Sequence, residues 1–128
     1  MDTTHYTLTL HDLTLNVILG VFDFEKEAPQ TININLTLDF LTMPLACESD
    51  QHQDAICYAG LAEYLQNFCH GKTFQMIEHL SLQLTLQTQE YLSIPANISL
   101  EIFKNPPVDN LRLASFKVSL PWKNQSSF

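Results

Sequence analysis

The sequence predicts an α+β fold, a four-stranded antiparallel sheet with two helices on one face, and two observations lead to it. Apolar residues alternate with polar ones in two runs near the start of the chain and two near its end, and between these they recur at helical spacing in two further runs. The element order is therefore ββααββ. Each strand is apolar on one side only, so the sheet needs a cover there, and two amphipathic helices supply it.

The first strand begins at Tyr6-Thr-Leu8-Thr-Leu10 and resumes with Leu13, Leu15, Val17 and Leu19, so a bend or bulge falls at His11-Asp12. Gln30 to Phe40 is the cleanest strand: Ile32, Ile34, Leu36, Leu38 and Phe40 share one face, while Thr31, Asn33, Asn35, Thr37 and Asp39 share the other. Gly20 to Pro29 joins the two as a connection longer than a tight turn. Period is lost from Leu41 to Asp54, where Pro44 and Ser49-Asp50 mark an excursion over the surface. Leu61, Leu65 and Phe68 define the first helix, with Gly71 as its stop. Phe74, Ile77, Leu80 and Leu84 define a second helix that ends near Tyr91 and that Thr73 could cap. Pro95 breaks the chain, Ile98-Ser-Leu100-Glu-Ile102 forms a strand closed by Asn105-Pro-Pro107, and Phe116-Lys-Val118-Ser-Leu120 forms the last. Residues 1–122 read as a single domain and 123–128 as a flexible C-terminal tail. The polar face of the sheet and its open edges have no cover in one chain, and closing such edges between subunits into a ring-shaped barrel removes an aggregation hazard.

Composition narrows the function. Six Lys and Arg stand against fourteen Asp and Glu in 128 residues, a formal net charge of -8, and that field repels phosphate backbones and anionic lipid. Nucleic acid and membrane are not expected partners. The first twenty residues carry no secretory pattern, and no run approaches the ~20 apolar residues of a membrane span. Cys47, Cys57 and Cys69 are odd in number and contain no C-x-x-C pair, which fits a reducing cytoplasm. The five histidines show no H-x-H or H-E-x-x-H spacing, so no metal site is expected. Nor is there a G-x-S-x-G nucleophile.

Glu78 is the most telling residue. It lies in the apolar run Phe74-Gln-Met-Ile-Glu78-His-Leu-Ser-Leu-Gln-Leu84, and the nearest basic residue in sequence, Lys72, is six positions back, off the spacings of a helical ion pair. Either its carboxylate is solvated or a ligand with donors comes to it. Glu25, Tyr58 and Lys104 also stand at element ends. Each has a plain reading, as a loop charge, a half-buried ring and a solubilising strand end. Lys104 is the least plain, because Asn105-Pro106-Pro107 restricts the backbone that follows it.

Gly20-Val-Phe-Asp-Phe-Glu25-Lys-Glu27 with Gln30, then Tyr58-Ala59, then Gly71-Lys72 leading to Met76-Ile77-Glu78-His79-Leu80, then Lys104-Asn-Pro-Pro107, together resemble dihydroneopterin aldolase, in register from about Tyr6 to Leu120. The resemblance implies the tunnelling fold, a homo-oligomer built as a tetrameric ring or an octamer of two stacked rings, and active sites at subunit boundaries. It implies retro-aldol cleavage of 7,8-dihydroneopterin, a pterin of folate biosynthesis, to 6-hydroxymethyl-7,8-dihydropterin and glycolaldehyde, with no cofactor. Under it, Glu78 is the pterin anchor, Lys104 and Tyr58 the acid-base pair, and Glu25 the acid near the glycerol-like side chain. Ala55, Ile56 and Cys57 match the segment that lines the pterin from a neighbouring subunit, and Met76 and Ile77 the segment whose backbone holds the ring edge. Which residue takes which proton stays open.

The stretch Asp109-Asn-Leu-Arg112-Leu-Ala-Ser115, with Trp122, departs from the aldolase pattern and is similar to the related dihydroneopterin triphosphate epimerase, where Arg112 could face a phosphate. The net charge and Asp23-Phe24-Glu25 favour the aldolase. Epimerisation at C2' and a pterin-binding ring protein without turnover are the alternatives.

Overall fold

The computed structural model describes residues 3–123, so most of the expected tail, 124–128, lies outside the described residues. Strands β1 (Tyr6–Leu19) and β2 (Gln30–Phe40) form a long antiparallel hairpin, joined by a loop that holds a 3-10 turn at Asp23–Lys26. A short helix α1 (Ala46–Ser49) and a second 3-10 turn (His52–Asp54) follow within the surface excursion. Helix α2 (Tyr58–Cys69), a two-residue strand β3 (Thr73–Phe74), helix α3 (Ile77–Tyr91), and strands β4 (Ala96–Lys104) and β5 (Ala114–Leu120) complete the chain. The sheet runs β3-β1-β2-β4-β5, antiparallel except where β3 pairs in parallel with β1.

The four expected strands and two expected helices are present, and β3 is an addition. Phe74 shares helical spacing with Ile77, yet it lies in β3 rather than in the second helix. Its carbonyl accepts from the Gly20 N–H at 3.0 Å, extending a sheet that the local pattern does not announce. Helix α3 accordingly starts at Ile77, its N-cap is Met76, and Thr73 does not cap it. Gly71, at φ 74°, stands two residues past the end of α2, in the left-handed region expected of a helix stop.

Asp12 makes the expected bulge. Its φ is 59°, pairing with β2 shifts register between Leu10 and Leu13, and the polar face of β2 locks the distortion. The Asp12 N–H donates to Asn35 Oδ1 at 2.8 Å, and Asn33 Nδ2 donates to Asp12 Oδ1 at 2.8 Å. On the opposite face Leu15, Ile32, Ile34, Leu36, Leu38, Leu100 and Ile102 are buried against Leu61 and Leu65 of α2 and Leu80 and Leu84 of α3. Burying one such side chain contributes about 1.5–3 kcal/mol, and this core fixes the sheet whose far ends carry the polar residues of interest. Helix α2 packs over β1, and α3 packs over β4 and β5. β5 is the outer strand, with Phe116 38% exposed.

Candidate active site

The loop after β1 is built around one carboxylate. Gly20 has φ 142°, and a Cβ there would lie 2.3 Å from the Glu25 carboxyl, so only glycine leaves room for that side chain to fold back. Glu25 Oε1 accepts from the N–H groups of Val21 and Phe22, each at 3.2 Å, which closes the 3-10 turn. Gln30 Nε2 donates to the Leu19 carbonyl and ties the start of β2 to the end of β1. Lys104, the last residue of β4, then donates from Nζ to Glu25 Oε2 at 2.8 Å. The side chains of Lys104 and Glu25 are 12% and 6% exposed, so this is a sheltered, charge-assisted bond. Lys104 holds the Glu25 carboxyl below the usual carboxylate range; burial opposes it, and the two loop N–H groups and the lysine charge add to the lowering.

This ion pair borders a cleft of about 330 Å³. Met76, Ile77 and Glu78 line its second wall, and Pro106, Pro107 and Val108 its third. Glu78 is exposed, lies in the first turn of α3, and has no hydrogen-bond or ion-pair partner among the described residues. Lys104, not Lys72, is the basic residue on its cleft; Lys72 donates instead to the Phe68 carbonyl at 2.7 Å. One chain therefore gathers Glu25, Glu78, Lys104, Met76 and Ile77. Gly20, Phe22 and Val108 also line the cleft; Gly20 and Phe22 belong to the motif that carries Glu25, but no local pattern singles out Val108. Arg112 is exposed and is not among the cleft residues.

Tyr58 is elsewhere. It is 61% exposed at the start of α2 and lines a second groove of about 570 Å³ with Leu8 to Thr14 of β1 and with Ala59 and Ala62. That stretch lies six or more residues before Gly20, which at the ~3.3 Å rise of a strand is about 20 Å away. Within one chain, Lys104 is thus paired with Glu25 and not with Tyr58. Of the preceding segment, Ile56 is 9% exposed and belongs to the core, Ala55 is exposed, and Cys57 is half-buried. The cysteines are free, and burial pushes the Cys69 thiol up to about 11. Among the described residues no three His, Cys, Asp or Glu side chains gather as a metal-binding group, and no helix is long and apolar enough to cross a membrane.

The sheet backed by two helices thus carries an open cleft lined both by the Glu78 carboxylate, unpaired among the described residues, and by the Lys104–Glu25 pair. The dihydroneopterin aldolase family model matches residues 8–120, and the chain belongs to that family. A Chlamydia trachomatis protein named "Probable dihydroneopterin aldolase" is 31% identical over 117 residues, spanning 89% of this chain and 94% of its own. Escherichia coli dihydroneopterin aldolase, solved in complex with neopterin, superposes with a TM-score of 0.79 at 18% identity, over 89% of this chain and 97% of that one. A Burkholderia thailandensis dihydroneopterin aldolase bound to guanine gives 0.71 at 14% identity, over 94% and 93%. The fold is theirs, the tunnelling fold.

Proposed function

We propose that the chain cleaves 7,8-dihydroneopterin by a retro-aldol reaction, and one observation carries the reading: unpaired Glu78 shares a cleft with the Lys104–Glu25 pair. A pterin presents a ring N3-H and a 2-amino group side by side, and a carboxylate accepts from both. Each such charge-assisted bond contributes about 1.5–3 kcal/mol. Guanine, the ligand of the Burkholderia protein, offers the same pair of donors, and neopterin, the ligand of the Escherichia coli protein, is itself a pterin. With Glu78 as anchor, backbone groups of Met76 and Ile77 would hold the ring edge and the substrate side chain would extend toward Lys104 and Glu25.

The reaction removes the proton of the C2' hydroxyl, forms the aldehyde of glycolaldehyde and breaks C1'–C2'. The bonding electrons pass into the pterin ring, and C1' is then protonated to give the hydroxymethyl product. The ring is the electron sink, so the step needs neither a Schiff base nor a metal. Lys104 moves protons directly or through water, with Glu25 orienting it near the side-chain hydroxyls. Tyr58 completes the acid-base pair from a neighbouring copy, which also brings Ala55, Ile56 and Cys57 over the pterin. Because Ile56 is a core residue, it would contribute backbone rather than side chain.

Three features support a ring in which copies share sites. Tyr58 is exposed, it borders an apolar groove, and both lateral edges of the sheet are open: β3 covers only Ile18 and Leu19 of β1, and nothing pairs with the outer side of β5 among the described residues. We place residues 1–122 in one such subunit unit, in a tetrameric ring or an octamer, in the cytoplasm where free thiols persist.

The test is release of glycolaldehyde from dihydroneopterin by purified protein, followed beside C2' epimerisation of the same substrate and of its triphosphate. Pterin binding without either reaction makes the chain a binder. Action on the triphosphate alone makes it an epimerase.

A further inference from the structure

We infer that Tyr91 is a positioning residue for Tyr58, an assignment that rests on the reading of Tyr58 as part of the site. Tyr91 is the last residue of α3, beside the N-terminus of α2, and its hydroxyl donates to the Cys57 carbonyl at 3.3 Å. That carbonyl already accepts the first helical bond of α2, from the Leu61 N–H at 3.0 Å. The peptide unit that leads into Tyr58 is thereby held from the helix and from α3 at once. Tyr91 is itself held: its ring lies 5.2 Å from that of Tyr64, whose hydroxyl donates to Gln87 Oε1 at 2.8 Å.

Gly60 is the second, independent sign of this contact. It lies inside α2, where alanine is the better helix former, and its φ does not require glycine. What it supplies is space. A Cβ at Gly60 would stand 2.5 Å from the Tyr91 hydroxyl, while the next ring atom, Cζ, is 3.7 Å away, an ordinary contact. The helix forgoes a methyl group where the hydroxyl passes to reach Cys57. Since the Tyr58 ring projects into solvent with no hydrogen bond of its own among the described residues, the placement of its backbone is what this chain can contribute to aiming it at a neighbour's cleft.

Tyr91→Phe keeps the ring and its packing on Tyr64 and removes only the hydroxyl. The expected result is a kcat for dihydroneopterin lowered about tenfold with KM changed less than about twofold. In a Tyr58→Phe background the same change costs nothing further, because Tyr91 acts through Tyr58. Gly60→Ala lowers kcat as well, and adding Tyr91→Phe to it causes no further loss, since with the hydroxyl gone the new methyl has only ordinary contacts, with Cys57 Sγ at 3.4 Å and Cζ at 3.7 Å. An unchanged kcat in Tyr91→Phe, or the same fractional loss with and without Tyr58, overturns the inference. Amide hydrogen exchange gives a readout independent of turnover: Tyr91→Phe speeds exchange at Leu61 and leaves the middle of α3 unchanged. If the wild-type protein turns over no pterin, the functional reading fails on that result alone, and unchanged exchange at Leu61 overturns the clamp separately.

Discussion

The two ends of β1 meet the rest of the chain in opposite ways. At its C-terminal end the Gly20 loop is saturated: Glu25 takes two backbone N–H groups and the Lys104 ammonium, and its side chain is 6% exposed. Near its N-terminal half, Leu8 to Thr14 border an apolar groove under a Tyr58 that is 61% exposed. Charges cannot wait unpaired in a sheltered place, so folding settles them within one chain. An aromatic ring can wait in solvent at small cost, so Tyr58 and its groove stay open in the single chain.

If the saturated end does the proton work, removing its cation has the largest consequence. Lys104→Ala is expected to lower kcat by about 10²–10⁴-fold, the range of a lost acid-base group, while pterin affinity by fluorescence titration stays within about threefold. Equal losses of affinity and turnover would make Lys104 a binding group and erase the distinction between it and Glu78.

Glu78 should show the reverse pattern. Its carboxylate has no partner among the described residues, so Glu78→Ala leaves the thermal midpoint nearly unchanged and raises the Kd for pterin about 100-fold, the equivalent of about 3 kcal/mol. A large fall in stability with unchanged affinity would return Glu78 to the role of a structural surface charge.

The same contrast explains what the sequence discloses. Alternation at Ile32, Ile34, Leu36 and Leu38 is a local consequence of one buried face, and the break at His11-Asp12 is a local consequence of the bulge, so both can be read directly. β3 cannot: it is two residues long, and its pairing depends on where Leu19 arrives from far away. The residue types of the site are legible at element ends, and the resemblance orders them. Their partnerships are not, because Lys104 and Glu25 are 79 positions apart and nothing local marks the bond. The resemblance pairs Lys104 with Tyr58 at a subunit boundary, and the folded chain adds a bond from Lys104 to Glu25 that no local pattern announces.

Mixing subunits tests whether the open end is completed in trans. Lys104→Ala and Tyr58→Phe chains are each deficient alone, but if every site draws Lys104 from one copy and Tyr58 from its neighbour, random co-assembly gives about a quarter of the sites both native residues. Recovery of activity toward that fraction after joint refolding supports shared sites. Mixtures no more active than the sum of the two separate variants would confine the chemistry to one chain.

The smallest expected effect concerns the saturated end alone. Glu25 has a folded-state value below its unfolded one, chiefly through Lys104, so the folded protein binds fewer protons than the unfolded chain at mildly acid pH. The resulting stability is fully present above the ordinary glutamate value of ~4.3 and is lost as pH falls through the lower folded value. Glu25→Gln removes the titration and keeps an amide oxygen to accept from Val21 and Phe22. Urea midpoints measured from pH 7 to 3 should therefore fall more steeply at the acid end for wild type than for Glu25→Gln. At neutral pH the variant should be the less stable of the two, since Lys104 then faces a neutral amide. Parallel acid limbs would mean that the Lys104–Glu25 bond leaves folding unaffected, and the saturated end would be no more settled by the single chain than the open one.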